Sequence, residues 1–439
     1  MDNLLYGRRL TKGELPIGFV VDDRIEISPS VTIGDRMIRC HRCNSMTAKN
    51  IASLPNNQFF CPNCMELGRV STLTNLYHVP EPNDFNADTH PLTWDGQLSA
   101  LQLNCAQKVD ECMRDKKRHL LWAVTGAGKT EMLFTAIANS IARGERIALA
   151  SPRVDVCLEL YPRLQQAFAE QKICLLHGRQ TESYEYRQLT ICTTHQLLRF
   201  YHAFDNLIID EVDAFPYASN PQLYFAASQA VKPQGGCLYL TATPGENLMA
   251  MVRKKELSIS YLPLRYHGHL LPEIKLKLVP SWRRQLGNKK LPGSLIQTLK
   301  QRLKNKRRFL LFVPHVADLS SVKEGLERQL KINVTTVHAV DEKRLEKVQK
   351  MRDHEIDFLV TTSILERGVT FPEIDVFVIG ADDAVFSTAA LVQIAGRAGR
   401  SVSRPTGDVI YWISSFANNV SDACAQIRFV NRKGRKLQH

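Results

Sequence analysis

The sequence lacks the features that mark membrane, secreted and disordered proteins. No run approaches the roughly 18 apolar residues that a membrane helix needs, and the start, MDNLLYGRRLTKGELPIGF, has no apolar segment of the kind that directs secretion. No low-complexity segment or short-period repeat is present. The 44% of hydrophobic and 23% of charged residues are ordinary for a globular protein. We therefore expect a cytoplasmic globular protein, whose 439 residues suffice for two or three domains.

Acidic residues are in short supply. Lys and Arg total 57 against 44 Asp and Glu, a net charge of +13, which suits a partner with a phosphate backbone. Ten basic residues and no acid lie between Arg283 and Arg308, where apolar residues recur at helical spacing (Leu295, Ile296, Leu299 and Leu303). This stretch is either a solvated helix face or a phosphate contact, and both interpretations stay open. A second basic cluster, Arg428 to Lys436, is predicted to be a disordered tail.

Disulfide bonds are not expected, since eleven cysteines is an odd number and the chain has no secretion signal. Four of the cysteines form two Cys-x2-Cys pairs separated by 17 residues, namely Cys40, Cys43, Cys61 and Cys64. Two thiolate pairs on tight turns are typical of a tetrahedral structural zinc site. Zinc would supply folding free energy on the order of 10 kcal/mol to residues 35–70. The alternative is four unrelated buried thiols, and the other seven cysteines are interpreted as core packing.

The rest of the chain has the pattern of α/β domains. A polar, proline-rich stretch at residues 78–91 is predicted to be a linker. Short apolar runs then alternate with helix-like segments, which predicts parallel sheets. The predicted division is a cysteine-containing segment, a first α/β domain, a linker, and a second α/β domain with a basic C-terminal tail: residues 1–90, 91–265, 266–290 and 291–439.

The first chemical motif is a glycine-rich loop that follows the apolar run HLLWAV. Its glycines would let backbone amides approach phosphates, and a helix starting near Thr130 would point its N-terminus at the negative charge. Lys129 would bridge the β- and γ-phosphates, and the Thr130 hydroxyl would hold Mg²⁺. The strict pattern has glycine where this chain has Ala123. The residues expected to bind the nucleotide here are Thr125, Gly126, Ala127, Gly128, Lys129 and Thr130.

The second motif is an apolar strand that ends in acids, Leu207-Ile-Ile-Asp-Glu-Val-Asp213. Asp210 would hold Mg²⁺ through water, and Glu211 would orient the attacking water as a general base. Acids at a strand end are common. However, this strand follows the glycine-rich loop by about 80 residues, where we expect a neighbouring strand of the same sheet.

With these motifs, the chain resembles the superfamily 2 helicases and translocases over about residues 90–420. Further motifs of that superfamily follow in order, namely motif III at 241–244, motif V at 361–368 and motif VI at 393–400. The resemblance implies two tandem RecA-like lobes with parallel sheets, preceded by the small four-cysteine zinc-binding segment.

The resemblance also assigns roles to residues around the nucleotide. Arg397 and Arg400 are three apart, and we expect them on one helix turn of the second lobe as arginine fingers at the γ-phosphate. Gln102 resembles the glutamine of the Q motif, which would read the adenine edge, and Gly368 is expected at the nucleotide as part of motif V. The nucleic-acid face implied by the resemblance includes Pro152, Arg153, Thr193, Thr194, Thr361 and Thr362.

One family fits better than the others. The N-terminal four-cysteine segment, the entry W-x-G-x-L-S-x-x-Q, the D-E-V-D box and the I-L-E-R-G-V-T of motif V resemble the ComFA family. PriA helicases place their zinc cysteines within the helicase region, whereas here the cysteines precede it. The resemblance implies an ssDNA-stimulated ATPase for DNA uptake in natural transformation, at the inner face of the membrane. It also implies a ComFC-like phosphoribosyltransferase-like protein, a ComEC-type membrane channel and the recombination mediator DprA as partners.

Two alternatives remain. One is a duplex-unwinding replication or repair helicase of the same fold, although no motif announces a strand-separating pin. The other is a nucleotide-gated DNA-binding scaffold without turnover, which has no chemical reason to keep all five of Lys129, Asp210, Glu211, Arg397 and Arg400. A homo-oligomer stays open, since several motor ATPases work as rings.

Overall fold

The computed structural model describes residues 2–86, 88–178, 184–366 and 369–438. The chain divides into two compact units. The first comprises the residues up to Trp122 together with Lys129–Tyr261, and the second comprises Ala123–Gly128 and the residues from Leu262 onward. In these described ranges, no helix combines the length and the apolar character needed to cross a bilayer.

The N-terminal segment is built from short antiparallel strands, which form three small sheets in the order β1-β8-β2, β3-β4-β5 and β6-β7. Sheets this small need another source of stability. The segment's core contains the four cysteines together with Ile38, Ala52, Phe59 and Val70. The strands are β1 (Arg9–Thr11), β2 (Glu26–Pro29), β3 (Val31–Ile33), β4 (Met37–Cys40), β5 (Met46–Ala48), β6 (Ser53–Leu54), β7 (Gln58–Phe59) and β8 (Asn75–His78).

A buried arginine anchors this segment to the first lobe. Arg146 is fully buried, and its Nη1 donates to the carbonyl oxygen of Tyr6 at 3.0 Å. Its Nη2 donates to the hydroxyl of Tyr184 at 2.6 Å, and the guanidinium forms an ion pair with Glu81. The described residues of the predicted linker contain no helix and no strand after His78. The side chain of Glu81 is nevertheless 1% exposed, so this linker is docked rather than loose.

The first lobe has a seven-stranded sheet in the order β11-β12-β10-β13-β14-β9-β15, and its pairs from β11 to β9 are parallel. Strands such as β10 and β12 are buried along their whole length, because helices cover both faces of a parallel sheet. The strands are β9 (Arg118–Ala123), β10 (Ile147–Ser151), β11 (Ile173–Leu176), β12 (Leu189–Thr193), β13 (Phe204–Ile209), β14 (Val231–Thr241) and β15 (Ser258–Leu262). The helices are α1 (Ala100–Arg114), α2 (Phe134–Ala142), α3 (Val154–Ala167), α4 (Pro221–Ala230) and α5 (Glu246–Arg253).

The second lobe has a six-stranded parallel sheet in the order β16-β21-β20-β17-β19-β18. Its strands are β16 (Ile274–Leu278), β17 (Phe309–Phe312), β18 (Thr336–Val337), β19 (Phe358–Thr361), β20 (Asp375–Ile379) and β21 (Val409–Ile413). Its helices are α6 (Trp282–Gly287), α7 (Gly293–Lys304), α8 (Val316–Leu330), α9 (Arg344–Arg352), α10 (Thr388–Ala395) and α11 (Asn418–Arg435). The prediction of two α/β lobes with parallel sheets is confirmed.

Two predictions about this half of the chain are wrong. Residues 266–290 are not simply a linker, since β16 pairs in parallel with β21 and Trp282 is buried in the core of the second lobe. The sequence IKLKL alternates as an edge strand does, so it lacks the continuous apolar run of a central strand. The basic cluster from Arg428 is not a disordered tail. It forms the end of α11, because the apolar stripe of that helix continues through the cluster to Val430.

The basic stretch between Arg283 and Arg308 has the solvated helix face that was one of its two interpretations. Helix α7 buries Leu295, Ile296 and Leu299 and exposes Lys300 and Lys304. Several of its ten cations have structural partners. Arg283 pairs with Asp318, Lys289 with Glu324 and Arg302 with Asp375, and the buried Arg308 donates to the carbonyl oxygen of Met351. A phosphate contact by the exposed cations stays a prediction.

Candidate nucleotide site and cysteine cluster

The glycine-rich loop has the backbone that phosphate binding requires. Strand β9 ends at Ala123, and Gly126 and Gly128 both adopt positive φ, at 77° and 74°, a conformation that glycine adopts without strain. A short 3₁₀ turn, Glu131–Leu133, begins directly after Thr130 and leads into α2. The predicted order of strand, loop and helix is confirmed. Ala123 is the last residue of the strand, so the departure from glycine there requires no unusual backbone conformation.

The acidic motif follows β13, as predicted, but not on the strand next to β9. Strand β14 lies between the two, so the expectation of direct neighbours is wrong. Because the intervening pairs are parallel, β9 and β13 still end at the same edge of the sheet. Asp210 accepts a hydrogen bond from the backbone nitrogen of Glu211 at 2.9 Å. Glu211 has φ of 55°, a strained conformation for a non-glycine residue and one that is enriched at functional sites.

A link between the acidic motif and motif III was missed from the sequence. Thr241 donates its hydroxyl to Oδ1 of Asp213 at 2.6 Å, and Thr243 donates its hydroxyl to Oδ2 of the same carboxylate. The backbone nitrogen of Thr243 donates to Oγ1 of Thr241 at 2.9 Å. One carboxylate therefore ties the end of β14 to the acidic loop. Both motifs were visible in the sequence, but nothing in either one indicated this pairing.

The arginines of motif VI do not lie on one helix turn, so that expectation is wrong. Helix α10 ends at Ala395 with Gly396 as its C-cap, and Gly399 has φ of 77°, which is incompatible with a continuing helix. The following loop is held by a hydrogen bond of 2.9 Å from the nitrogen of Gly399 to the carbonyl oxygen of Ile374. Arg397 is buried and donates to the carbonyl oxygen of Val369, whereas Arg400 has φ of 69°.

Arg265 is a further residue that the sequence analysis missed. It is 2% exposed, and its guanidinium donates to three backbone carbonyl oxygens of the motif VI loop. Burial, with Arg400 as the second cause, lowers the pKa of Arg265 to about 9. No local motif signals this residue, because its hydrogen-bond partners lie more than 130 positions further along the chain.

Other predicted residues have structural partners of their own. Gln102 is buried at the third position of α1, and its Oε1 accepts from the nitrogen of Ser99 at 2.9 Å in a capping box. Reading of adenine by Gln102 stays a prediction. Gly368 lies outside the described residues.

The predicted nucleic-acid residues lie at strand ends, but most of their side chains are buried. Pro152 and Arg153 follow β10, and Arg153 is partly exposed. Thr361 donates its hydroxyl to the carbonyl oxygen of Val337 at 3.0 Å. Its hydroxyl is therefore already occupied, which leaves backbone amides as the groups to test for phosphate contact. The buried threonines are Thr193, Thr194, Thr361 and Thr362.

The four cysteines form one buried cluster, as the spacing predicts. The Sγ atoms of Cys40, Cys43, Cys61 and Cys64 all lie within 4.8 Å of one another. The distances are 3.8 Å between Cys40 and Cys64 and 3.5 Å between Cys43 and Cys61. A tetrahedron with Zn–S bonds of about 2.3 Å has edges of about 3.8 Å, so the cluster fits zinc. The alternative of four unrelated thiols is wrong.

The cysteine cluster is also linked to the first lobe by ion pairs. Arg42 lies between the first two cysteines in sequence, and its Nη1 donates to Oε2 of Glu14 at 2.8 Å. The other carboxylate oxygen, Oε1, accepts from Nε of Arg199 at 2.8 Å. Arg199 ends the 3₁₀ turn Thr194–Arg199, which contains one of the predicted nucleic-acid residues. A single carboxylate thus joins the turn between Cys40 and Cys43 to the first lobe.

Comparison with known families matches three regions of the chain. Residues 1–78 match the competence protein ComFA N-terminal domain. Residues 102–251 match the DEAD/DEAH box helicase family, and residues 292–402 match the helicase conserved C-terminal domain.

Two curated proteins are similar over nearly the whole chain. Competence protein ComFA of Bacillus subtilis is 39% identical over 447 residues, which cover 100% of this chain and 96% of that protein. Competence protein ComFA of Streptococcus pneumoniae is 40% identical over 435 residues, which cover 98% and 99%. Among solved structures, DEAD-box helicase Mss116 bound to ssRNA and UDP-BeF matches with a TM-score of 0.57 at 15% identity, over 72% of this chain and 70% of that one. At that identity the match shows the fold alone.

Proposed function

The chain belongs to the ComFA family of competence proteins, and from this we propose that it is an ATP-driven single-stranded-DNA translocase that powers DNA uptake during natural transformation. Its two helicase domains make it a helicase-like ATPase that uses ATP and Mg²⁺. The finer assignment concerns what the hydrolysis drives and which nucleic acid stimulates it.

The observation that supports the proposal is that the glycine-rich loop and Glu211, whose backbone is strained, follow strands of the same sheet. Lys129 would contact the β- and γ-phosphates, and Thr130 and Asp210 are the residues that would hold Mg²⁺. The metal would neutralise charge on the transferred phosphoryl group. Glu211 would accept a proton from the attacking water. The positive φ at Glu211 sets the direction in which its side chain leaves the main chain.

The positive charge for the transition state would come from Arg397 and Arg400. Arg397 already has its guanidinium in the protein interior, where a cation acts with less screening than at the surface. The loop that carries both arginines begins at Gly396, the C-cap of α10, and the positive φ of Gly399 is incompatible with a continuing helix.

The distribution of charge supports a phosphate-backbone substrate. Residues 266–439 contain 29 Lys and Arg against 17 Asp and Glu, a surplus of 12, so they hold nearly the whole net charge of +13. Such a surplus favours a polyanion without selecting its sequence. This property suits a protein that moves along DNA of any sequence.

The test is steady-state ATP hydrolysis without nucleic acid and with ssDNA, blunt duplex DNA, forked duplex DNA or RNA, at one fixed salt concentration. Salt is fixed because phosphate contacts make binding steeply dependent on ionic strength. We expect ssDNA to stimulate turnover most strongly, and the Lys129→Ala variant to have no turnover in any arm. Stronger stimulation by forked duplex or RNA would replace the translocase with a helicase. No hydrolysis by the wild type would leave only the nucleotide-gated scaffold.

We also propose that the protein works at the inner face of the membrane, with a ComFC-like phosphoribosyltransferase-like protein and a ComEC-type channel, and that DprA receives the strand. Family membership supports this assignment. Co-purification from competent cells should recover these proteins with the wild type. Recovery of none of them with a protein that is active on ssDNA would remove the partner assignment and keep the ATPase.

A further inference from the structure

Arg265 holds the loop that carries the motif VI arginines. Its Nη1 donates to the carbonyl oxygens of Ala398 and Pro405, both at 2.8 Å, and its Nη2 donates to the carbonyl oxygen of Gly396 at 3.0 Å. The peptide carbonyls of Gly396 and Ala398 flank Arg397 in the chain. The guanidinium therefore fixes the main chain on both sides of Arg397.

Arg400 is drawn into the same arrangement. Its Nε donates to the carbonyl oxygen of Gly396 at 2.9 Å, the same oxygen that accepts from Arg265. The third acceptor, Pro405, lies further along the chain than Arg400, so the hydrogen bonds of Arg265 enclose the whole segment between Gly396 and Pro405. One side chain thus determines the path of a loop that contains both arginines.

The charge of Arg265 is compensated in an unusual way. In the part of the chain that the structure describes, its hydrogen-bond partners are carbonyl oxygens, and it forms no ion pair with a carboxylate. Gly396 is the C-cap of α10, so the guanidinium lies at the negative end of that helix. Burial of an arginine without a carboxylate is unfavourable. An unfavourable arrangement of this kind is expected where it serves function.

The same segment also contacts the glycine-rich loop. The backbone nitrogen of Tyr266 donates to the carbonyl oxygen of Gly126 at 2.9 Å. A Cβ added at Gly126 would lie 3.8 Å from Cγ of Arg265, in ordinary van der Waals contact. Tyr266 therefore contacts the backbone of the glycine-rich loop, and Arg265, at the adjacent position, contacts the backbone of motif VI.

We propose that Arg265 is a positioning residue for ATP hydrolysis, which sets the main chain of the motif VI loop so that Arg397 and Arg400 are held ready for the transition state. The proposal rests on the ATPase activity. Arg265 need not touch the nucleotide itself, since both of its terminal nitrogens already donate to carbonyl oxygens of this loop. Its loss should slow turnover more than it weakens ATP binding, because misplacement of catalytic groups by about 1 Å reduces rates on the order of 100-fold.

The experiment compares Arg265→Met, which keeps the length of the side chain, with Arg265→Lys, which keeps its charge but cannot reach three carbonyls in a planar fork. The matched control is Arg308→Met. Arg308 is another buried arginine of the second unit that donates to a backbone carbonyl, that of Met351, and burial is likewise the main cause that lowers its pKa. Turnover, the KM for ATP and the thermal midpoint are measured for all four proteins.

We expect Arg265→Met to lose kcat by roughly tenfold to 100-fold while KM changes by less than about threefold. Arg265→Lys should fall between Met and wild type, and Arg308→Met should keep wild-type kcat although it loses stability. A rise in KM with unchanged kcat would make Arg265 a ground-state ATP ligand and overturn the proposal. Equal kcat losses in Arg265→Met and Arg308→Met would reduce it to a structural residue.

The Arg265→Lys variant keeps the proposal testable if Arg265→Met does not fold. If Arg265→Met does not fold, wild-type kcat in a folded Arg265→Lys would contradict the requirement for the planar fork. If the wild type itself shows no hydrolysis, the ATPase assignment fails and the variants are not compared. The two failures are therefore distinguishable.

Discussion

Two buried arginines, one in each unit, are held in opposite ways. Arg146 and Arg265 are both among the largest fully buried side chains of the protein. Arg146 has an ion pair with Glu81 and a hydrogen bond to the Tyr184 hydroxyl. Arg265 has hydrogen bonds to carbonyl oxygens only, in the described part of the chain.

The pKa shifts follow these partners. Burial lowers the pKa of Arg146, but the nearby Tyr184 and Glu81 outweigh it, so the pKa is raised overall. Burial and then Arg400 lower the pKa of Arg265 to about 9. A charge matched by a carboxylate stabilises a junction between chain segments. A buried guanidinium whose hydrogen-bond partners are carbonyl groups keeps much of its positive electrostatic potential. This suits a region near bound phosphates.

The largest expected effect tests whether the anchor at Arg146 depends on the metal. Cys40→Ala with Cys43→Ala should remove one equivalent of zinc and destabilise the sheets around the cluster, by on the order of 10 kcal/mol for a small zinc module. Tyr6 and Glu81 should stay protected, because Arg146 binds them without using any cysteine. Zinc content and hydrogen exchange measured by mass spectrometry check both points.

The control for this experiment is Cys424→Ala, which removes a half-buried thiol of the second unit and should keep the metal. Retention of one full equivalent of zinc in the double variant would contradict the four-thiolate site. If Tyr6 lost its protection from hydrogen exchange when the metal was lost, the contacts of Arg146 would depend on the cysteine cluster.

The next effect concerns Arg146 itself. Arg146→Met leaves Glu81 buried without its cation, which should destabilise the first unit by about 3–5 kcal/mol. Adding Glu81→Gln to that variant should recover part of the loss, because the uncompensated charge is then gone. Hydrogen exchange resolves the two units, so that the second unit serves as an internal reference. Purely additive losses would mean that the pair is not coupled.

A smaller effect should appear at acid pH. Burial raises the pKa of Asp205, but hydrogen bonds from Lys232, the backbone of Arg146 and Asn83 outweigh it, so the pKa lies below the usual value. A carboxyl whose folded pKa is depressed stabilises the fold above its unfolded pKa of about 3.9 and loses that contribution as pH falls through the folded value. The first unit should therefore weaken below about pH 4.

This acid effect can be assigned with Asp205→Asn, which should lower stability at neutral pH and flatten the acid limb of unfolding curves for the first unit. The hydrogen bonds between Arg265 and the motif VI loop contain no carboxylate and should not respond in that range. An unchanged acid limb in the variant would reassign the acid sensitivity to another group.

The smallest expected effect concerns an exposed ion pair, which serves as the reference for the buried arginines. Arg24 forms a short ion pair with Asp22, 2.6 Å between Nη2 and Oδ2, but both side chains are largely exposed. Arg24→Met should leave the thermal midpoint unchanged within error, because solvent screens such pairs. A clear drop in the thermal midpoint would mean that the geometry of an ion pair, and not its burial, decides how much an arginine contributes to stability. The comparison between Arg146 and Arg265 would then fail.

Local patterns predicted the placement of several candidate residues. The order of strand, glycine-rich loop and helix, the acids after β13 and the four clustered cysteines were expected from spacing, since each depends on residues close in the chain. The two-lobe fold was also predicted, because a parallel sheet leaves apolar runs that a sequence displays directly.

What the sequence missed depends on distant partners or on backbone conformation. Arg265 acts on carbonyls more than 130 residues away, and backbone acceptors leave no trace in side-chain patterns. Arg397 and Arg400 were placed on a helix because their spacing fits one, whereas the two glycines beside them end it. The positive φ of Glu211 and Arg400 is invisible in sequence, since either residue ordinarily avoids it.

The contact between Tyr6 and Arg146 has a consequence for how the protein is made. The two residues lie 140 positions apart, so a ribosome working at about 5–20 residues per second emits Tyr6 several seconds or more before its partner. The four cysteines emerge within that interval, so the cysteine cluster can close while the anchor is still missing. We therefore expect nascent chains to pass through a state in which the N-terminal segment is folded but its contacts to the first lobe have not yet formed.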